Sequence, residues 1–214
     1  MRRQRDIDEE MDAPGVDPVK LRQSLIFIRR INTALRYNAA TAKAVRELGG
    51  GSVLDICCGS ADFAEHVDGP FTGLDFHAKT LAVARQWQPK ATLVRGEAMA
   101  LPFDDGSFDV VVCQMALHHF DTADAKTIIT EMERVSRRGW VVADLLRRRR
   151  ASGWIWLFTA FASPMVKHDA RVSVRQAFSE VEAKQLAADT GSAYCPAFGH
   201  RFLLVRDKRR DRLL

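Results

Sequence analysis

No apolar run in this chain is long enough to cross a membrane, which takes about 20 residues. Its longest charge-free aromatic stretch, 151–166, is shorter than that and is interrupted by Ser152, Thr159, Ser163 and Pro164. The first residues carry charges but no apolar core of a secretory signal, so none is expected. Cysteine is sparse. Cys57, Cys58, Cys113 and Cys195 show neither Cys-x-x-Cys nor His/Cys ligand spacing, so no metal is expected. Adjacent Cys57 and Cys58 are a poor disulfide pair, and all four thiols are read as reduced, which makes the expected location cytoplasmic. A dinucleotide turn would need G-x-G-x-x-G. After the first apolar run only Gly59 is available, which speaks against a nicotinamide-dependent dehydrogenase. There is no internal repeat and no low-complexity tract beyond the arginines at 147–150.

What is present fits one globular domain with an appendage. The 214 residues are 47% hydrophobic and 28% charged, ordinary values for a chain that buries a core. The net charge of +5 gathers in Arg2, Arg3 and Arg5, in Arg147–Arg150, and in Arg206, Lys208, Arg209, Arg210 and Arg212. These clusters are read as solvated faces, with contact to anionic lipid or nucleic acid as the alternative.

Residues 1–17 are polar and read as frayed. From Val19 to Leu48 the apolar positions Leu21, Leu25, Ile28, Ile31, Leu35, Ala39, Ala42 and Val45 recur every three or four residues, which predicts one amphipathic helix or two. Strands are then predicted at 53–56, 71–74, 92–94, 108–113 and 140–145, with helices at 61–67, 78–87 and 122–135 and a helical turn at 97–100. Continuous apolar strands separated by helices imply a mostly parallel sheet covered on both faces. A helix at 180–190, capped by Ser179, precedes two short strands near 194–198 and 202–206, expected to form an antiparallel hairpin.

The segment "VLDICCGSADFAEHV", residues 53–67, ends a buried strand in an acid and a tight turn. In this architecture ligands sit at the carboxyl ends of the strands, where strand order reverses. Gly59 permits close backbone approach, and Cys57 is a small packing residue on a nucleoside-binding turn. Asp75, at the end of the second strand, can accept hydrogen bonds from a ribose diol. Glu97 follows the third strand, and Gln114 ends the fourth with His118 and His119 just beyond.

The order Asp55…Gly59, Asp75, Glu97, "FDVVVCQMALHHF" resembles class I S-adenosylmethionine-dependent methyltransferases. "DICCGSAD" is similar to the first motif of the quinone-biosynthesis C-methyltransferases, whose turn is often D-x-C-C-G-T-A/G-D. The likeness covers residues 52–145, and the turn departs from the commoner glycine-rich form at Cys57 and Ala61. The "KHDARVSVRQAFS" segment, 167–179, resembles small bacterial methyltransferases of polyketide or phenolic-lipid pathways. The resemblance implies an α/β, Rossmann-like, seven-stranded and mostly parallel sheet with helices on both faces and a final antiparallel strand. It also implies an N-terminal tail and helical cap, 1–48, on a methyltransferase domain, 49–214, with 147–178 inserted on the acceptor side before the last helix.

S-adenosylmethionine is the implied cofactor and S-adenosylhomocysteine its product. Asp55 would organise the turn and reach the methionine ammonium, with Cys57 and Gly59 lining the methionine portion. Asp75 would bind the ribose hydroxyls, Phe76 cover the adenine, Glu97 and Ala98 hold its edge, and Gln114 close the site near the sulfonium. Plain alternatives are a capping acid for Asp55, a turn residue for Asp75, a first-turn helix acid for Glu97 and core packing for Phe76. His118, His119 and His168, the last beside Asp169, are the candidates to take or orient an acceptor proton; the alternative is structural histidines.

Trp154, Trp156, Phe158 and Phe161 would wall an apolar acceptor, the alternative being a core-packing helix, and 147–161 could touch a membrane surface as an interfacial helix. The expected acceptor is a small phenolic, quinone-like or polyketide molecule, methylated on oxygen or carbon. Rival readings are a nucleic-acid methyltransferase and a nucleoside-binding scaffold without chemistry. No Asn/Asp-Pro-Pro-Tyr motif follows the fourth strand, which weighs against the first, and no specific nucleic-acid partner is expected.

Overall fold

A computed structural model describes residues 3–4, 9–13, 15–148, 153, 159–160, 162–197 and 200–210. Trp154, Trp156, Phe158, Phe161 and most of 147–161 lie outside the described residues, and so do the acceptor wall and the membrane contact expected of them. Among the described residues no helix is long and apolar enough to cross a membrane.

Seven strands form one sheet: β1 (Val53–Ile56), β2 (Phe71–Asp75), β3 (Thr92–Arg95), β4 (Phe108–Gln114), β5 (Ser136–Leu145), β6 (Ala193–Ala197) and β7 (Arg201–Asp207). Their order is β3-β2-β1-β4-β5-β7-β6. The first five are parallel, and β7 lies antiparallel between β5 and β6. The sheet is the Rossmann-like, mostly parallel one expected, including the closing hairpin. Strand order reverses between β1 and β4, so their carboxyl ends flank the cleft where such sheets bind ligands.

Alternate residues of each strand face opposite sides, and both sides are buried. Val111 and Cys113 of β4 meet Ile128 and Met132 of α4 (Thr122–Val135) and Leu186 of α6 (Glu180–Asp189). Val110 and Val112 meet Ala42 and Val45 of α2 (Tyr37–Glu47) and Ala84 of α3 (Ala78–Trp87). A third cluster joins Leu21 and Leu25 of α1 (Pro18–Ala34) to Val83 and to Met165 of α5 (Pro164–Gln176).

Several local expectations change. The long N-terminal periodicity is two helices, broken where Arg36 turns left-handed at φ 52°. The predicted helix at 61–67 is a 3-10 turn, Asp62–His66, because Ala61 enters it at φ 57°. The turn expected at 97–100 closes through a β-bridge between Glu97 and Ala100 rather than a helix. β5 begins at Ser136, directly after α4, earlier than the apolar pattern suggested.

Residues 9–13 are not frayed. Asp169 accepts the Glu10 N–H at 2.8 Å and the Met11 N–H at 3.2 Å. Arg3 donates to the carbonyls of Phe120 and Gln176 and lies 3.9 Å from the Phe178 ring centre.

The basic clusters are also less solvated than expected. Arg147 is only 9% exposed and holds both Glu182 oxygens at 3.0 Å. Arg209 binds the Asp207 carboxylate, and Lys208 the carbonyls of Glu133 and Ser136. Carboxylates of Glu182 and Asp207 and carbonyls of Glu133 and Ser136 absorb this charge, which charge counting along the chain cannot show.

Candidate active site

A cavity of about 1020 Å³ opens at the carboxyl ends of β1, β2 and β4, at the upper end of the range for small-molecule sites. One end is built by the turn after β1. Cys57, Gly59 and Ala61 have φ of 55°, 54° and 57°, so three alternate residues take a left-handed conformation that costs a side-chain-bearing residue energy. The chain departs from a glycine-rich turn at the first and last of these. The turn is clipped to β2 because Asp75 accepts the Gly59 N–H at 2.9 Å and the His77 N–H at 2.8 Å. A Cβ added at Gly59 would meet nothing within 4 Å; the space beyond it belongs to the cavity.

This end is acidic. Asp55 is 3% exposed, and its Oδ1 has no hydrogen-bond partner among the described residues. Burial first, then the Asp75 and Asp62 charges, push its carboxyl well above the ordinary value. Burial likewise raises Asp75, against the His77 and Gly59 N–H groups that lower it. An acid pocket with an unsatisfied oxygen suits a cationic ligand. Phe76, 46% exposed, also lines the cavity, with Gln114 at the tip of β4.

The other end is mostly apolar, walled by Ile28 and Ile31 of α1, by Leu35 just after it, and by Val166, Ala170 and Val174 of α5. Glu9, His118 and His119 meet there, with Asp144 behind them. The His118 Nδ1 lies 2.7 Å from Asp144 Oδ1, and its backbone N–H donates to Asp144 Oδ2 at 2.7 Å. Its Nε2 is buried without a hydrogen-bond partner among the described residues, 3.9 Å from Glu9 Oε1. The His119 Nε2 lies 4.0 Å from the same Glu9 oxygen, and the two imidazoles are 4.3 Å apart.

Burial lowers the His118 pKa, but Asp144 and Glu9 outweigh it and raise it to about 10. Burial and then the His118 charge push His119 down to about 4. Asp144 and Glu9 thus favour the charged imidazole at His118, and burial the neutral one at His119.

Of the sequence-predicted residues, Asp55, Cys57, Gly59, Asp75, Phe76, Gln114, His118 and His119 line this one cavity. Glu97 and Ala98 do not. Glu97 is exposed, and Ala98 packs into the core. His168 does not either: its side chain is 41% exposed on the outer face of α5, in a shallow basic depression with Lys167 and Arg171. Successive helix positions point about 100° apart, so the neighbouring Asp169 faces the cavity instead and holds the N-terminal segment. Glu9 and Asp144 were missed by sequence reading. Glu9 sits in a stretch without periodicity, and Asp144 lies inside an apolar strand.

The strand order and the acid-lined cleft at the switch point define the class I methyltransferase architecture. Comparison with known proteins agrees. Residues 53–139 match the family described as a methyltransferase domain. A demethylmenaquinone methyltransferase of Listeria welshimeri is 34% identical over 139 residues, covering 59% of this chain and 58% of that protein. An uncharacterized methyltransferase of Synechocystis is 36% identical over 110 residues, covering 50% of this chain and 51% of its own. The matches thus span less than three fifths of the curated relatives' length.

The solved structure of the plantazolicin methyltransferase BpumL, in complex with a monoazolic desmethylPZN analog and SAH, superimposes with a TM-score of 0.69 at 13% identity. It covers 90% of this chain and 91% of that one. A SAM-dependent methyltransferase from Aquifex aeolicus gives 0.60 at 15% identity, covering 89% and 97%. Residues 53–139 thus match a methyltransferase-domain model, and the chain resembles the class I, S-adenosylmethionine-dependent enzymes of quinone biosynthesis. S-adenosylmethionine is the cofactor of this class, and the residues present fit it: the unpartnered Asp55 oxygen suits its ammonium, and the open face of Gly59 leaves it room.

Proposed function

We propose that this chain transfers a methyl group to a small, apolar aromatic acceptor of the phenol, quinol or polyketide type, on oxygen or an adjacent ring carbon. The observation that carries this reading is the single cavity joining the acid-lined strand tips to an apolar chamber with polar groups at its far end. Bound there, S-adenosylmethionine supplies an electrophilic methyl on a sulfonium. Asp55 would hold the ammonium and Asp75 the ribose, its oxygens retaining lone pairs beyond the two N–H groups they accept. Gln114 lines the cavity at the tip of β4. Ile28, Ile31, Leu35 and Val166 exclude water and orient the ring, leaving the acceptor hydroxyl toward Glu9 and His119. Alignment of nucleophile, methyl carbon and sulfur is then the main contribution of the protein.

The quinone-type relatives support such an acceptor, as does the apolar wall. A nucleic-acid acceptor finds less support, because Arg147, Lys208 and Arg209 are engaged within the chain. Two measurements test the reading: calorimetric titration with S-adenosylhomocysteine, and labelled-methyl transfer to a panel of phenols, demethylated quinols and RNA. Tight binding with transfer to the aromatic acceptors is expected. Binding with transfer to RNA alone, or no binding at millimolar ligand, would overturn it.

A further inference from the structure

We propose that Glu9, His118 and His119 form a site for one divalent transition-metal ion at the acceptor end of the cavity. A Glu9 carboxylate oxygen and one imidazole nitrogen from each histidine lie within 4.8 Å of one another. Small side-chain rotations bring such donors to the roughly 2.0–2.2 Å that nitrogen and carboxylate ligands take around zinc. Two imidazoles and one carboxylate suit a first-row divalent ion such as zinc, cobalt or iron(II), and not magnesium, which prefers oxygen ligands.

The group is built rather than incidental. Asp144 takes the Nδ1 side of His118, fixing the ring so that Nε2 points at Glu9. A carboxylate behind a ligating histidine is the usual outer partner at metal centres. His118 is only 2% exposed, and its Nε2 has no hydrogen-bond partner among the described residues, a state that normally costs stability. Glu9 is fixed in turn: the Ser173 hydroxyl donates to it, and Asp169 holds the N–H groups of the next two residues.

Three protein ligands leave coordination positions facing the cavity. An acceptor with a hydroxyl beside a second oxygen would fill them. The bound hydroxyl loses its proton to solvent; its oxygen then bonds the methyl, or the adjacent carbon does and afterwards releases its ring hydrogen to solvent as a proton, and in either case the broken C–S bond leaves its electron pair on sulfur. This role rests on the methyltransferase reading, whereas the metal site itself does not.

The test uses the full chain, stripped with a chelator and titrated with Co²⁺ while its visible absorption is followed. One ion per chain is expected, with Glu9→Gln and His119→Ala each weakening binding about tenfold or more. His168→Ala, outside the cavity, should leave binding unchanged. Catechol, added as a probe, should shift the spectrum of the bound ion.

No saturable uptake by the stripped wild type overturns the site, as does equal affinity in Glu9→Gln and His119→Ala when both keep the wild-type melting temperature. An unmoved spectrum with catechol overturns the open positions. S-adenosylhomocysteine titration of the same stripped protein separates the outcomes, since cofactor binding without Co²⁺ binding removes the metal and leaves the methyltransferase reading intact.

Discussion

Asp75 holds two consecutive pieces of the cofactor end at once, its Oδ2 accepting from Gly59 at 2.9 Å and its Oδ1 from His77 at 2.8 Å. An amide in its place accepts at one position and sets a donor against a donor at the other. Asp75→Asn should lower stability by about 1–3 kcal/mol and weaken S-adenosylhomocysteine binding at least tenfold. Chemical denaturation and calorimetry read the two effects, and unchanged affinity would remove Asp75 from the site.

Asp55 carries a charge that folding isolates. Its pKa is raised in the native state, so below that value the folded protein binds a proton the unfolded chain has already lost. Stability therefore falls as pH rises from about 4 through the elevated value. Asp55→Asn should flatten this slope and raise the melting temperature near neutral pH while weakening the cofactor. Melting curves of both proteins from about pH 5 to about pH 8 check it; parallel curves would contradict the assignment.

Two glycines with positive φ should respond differently to alanine. At Gly139 a Cβ would stand 1.9 Å from the Arg206 carbonyl oxygen, inside the β5–β7 pairing. At Gly59 it would meet only open cavity. Gly139→Ala should fail to fold or melt far below the wild type. Gly59→Ala should lose about 1–2 kcal/mol of stability and much of its cofactor affinity.

Asp144 is fully buried against His118. Asp144→Ala leaves a buried imidazole and its backbone N–H without their acceptor, a loss of about 3–5 kcal/mol readable by urea denaturation. A loss below about 1 kcal/mol would mean that the pair is solvated in the native protein.

Ile31 belongs to the apolar wall. Ile31→Ala should raise KM for an apolar acceptor several-fold and leave S-adenosylhomocysteine affinity unchanged. An equal effect on both would place the residue at the cofactor instead.

The alternation of apolar strands and amphipathic helices was legible because each element buries a face with its own period, and the period is written locally. The acid–turn–acid order of Asp55, Gly59 and Asp75 was legible for the same reason: each ends or follows a strand, and a parallel sheet brings strand ends together. The left-handed start of the 3-10 turn at Ala61 left no such mark, since alanine ordinarily favours a helix.

The sequence by itself therefore determined the layered sheet and the meeting of Asp55, Gly59 and Asp75 at one end of its cleft, though not that Glu97 and Ala98 stand apart from it. Only the tertiary structure decided the end where Glu9, His118 and His119 meet. Glu9 reaches His118 and His119 because Asp169 and Ser173 of α5 hold the N-terminal segment across the cleft, and Asp144 turns the His118 ring toward it. Those contacts join residues far apart in the chain through backbone N–H groups and single side chains, which carry no periodic signal to read.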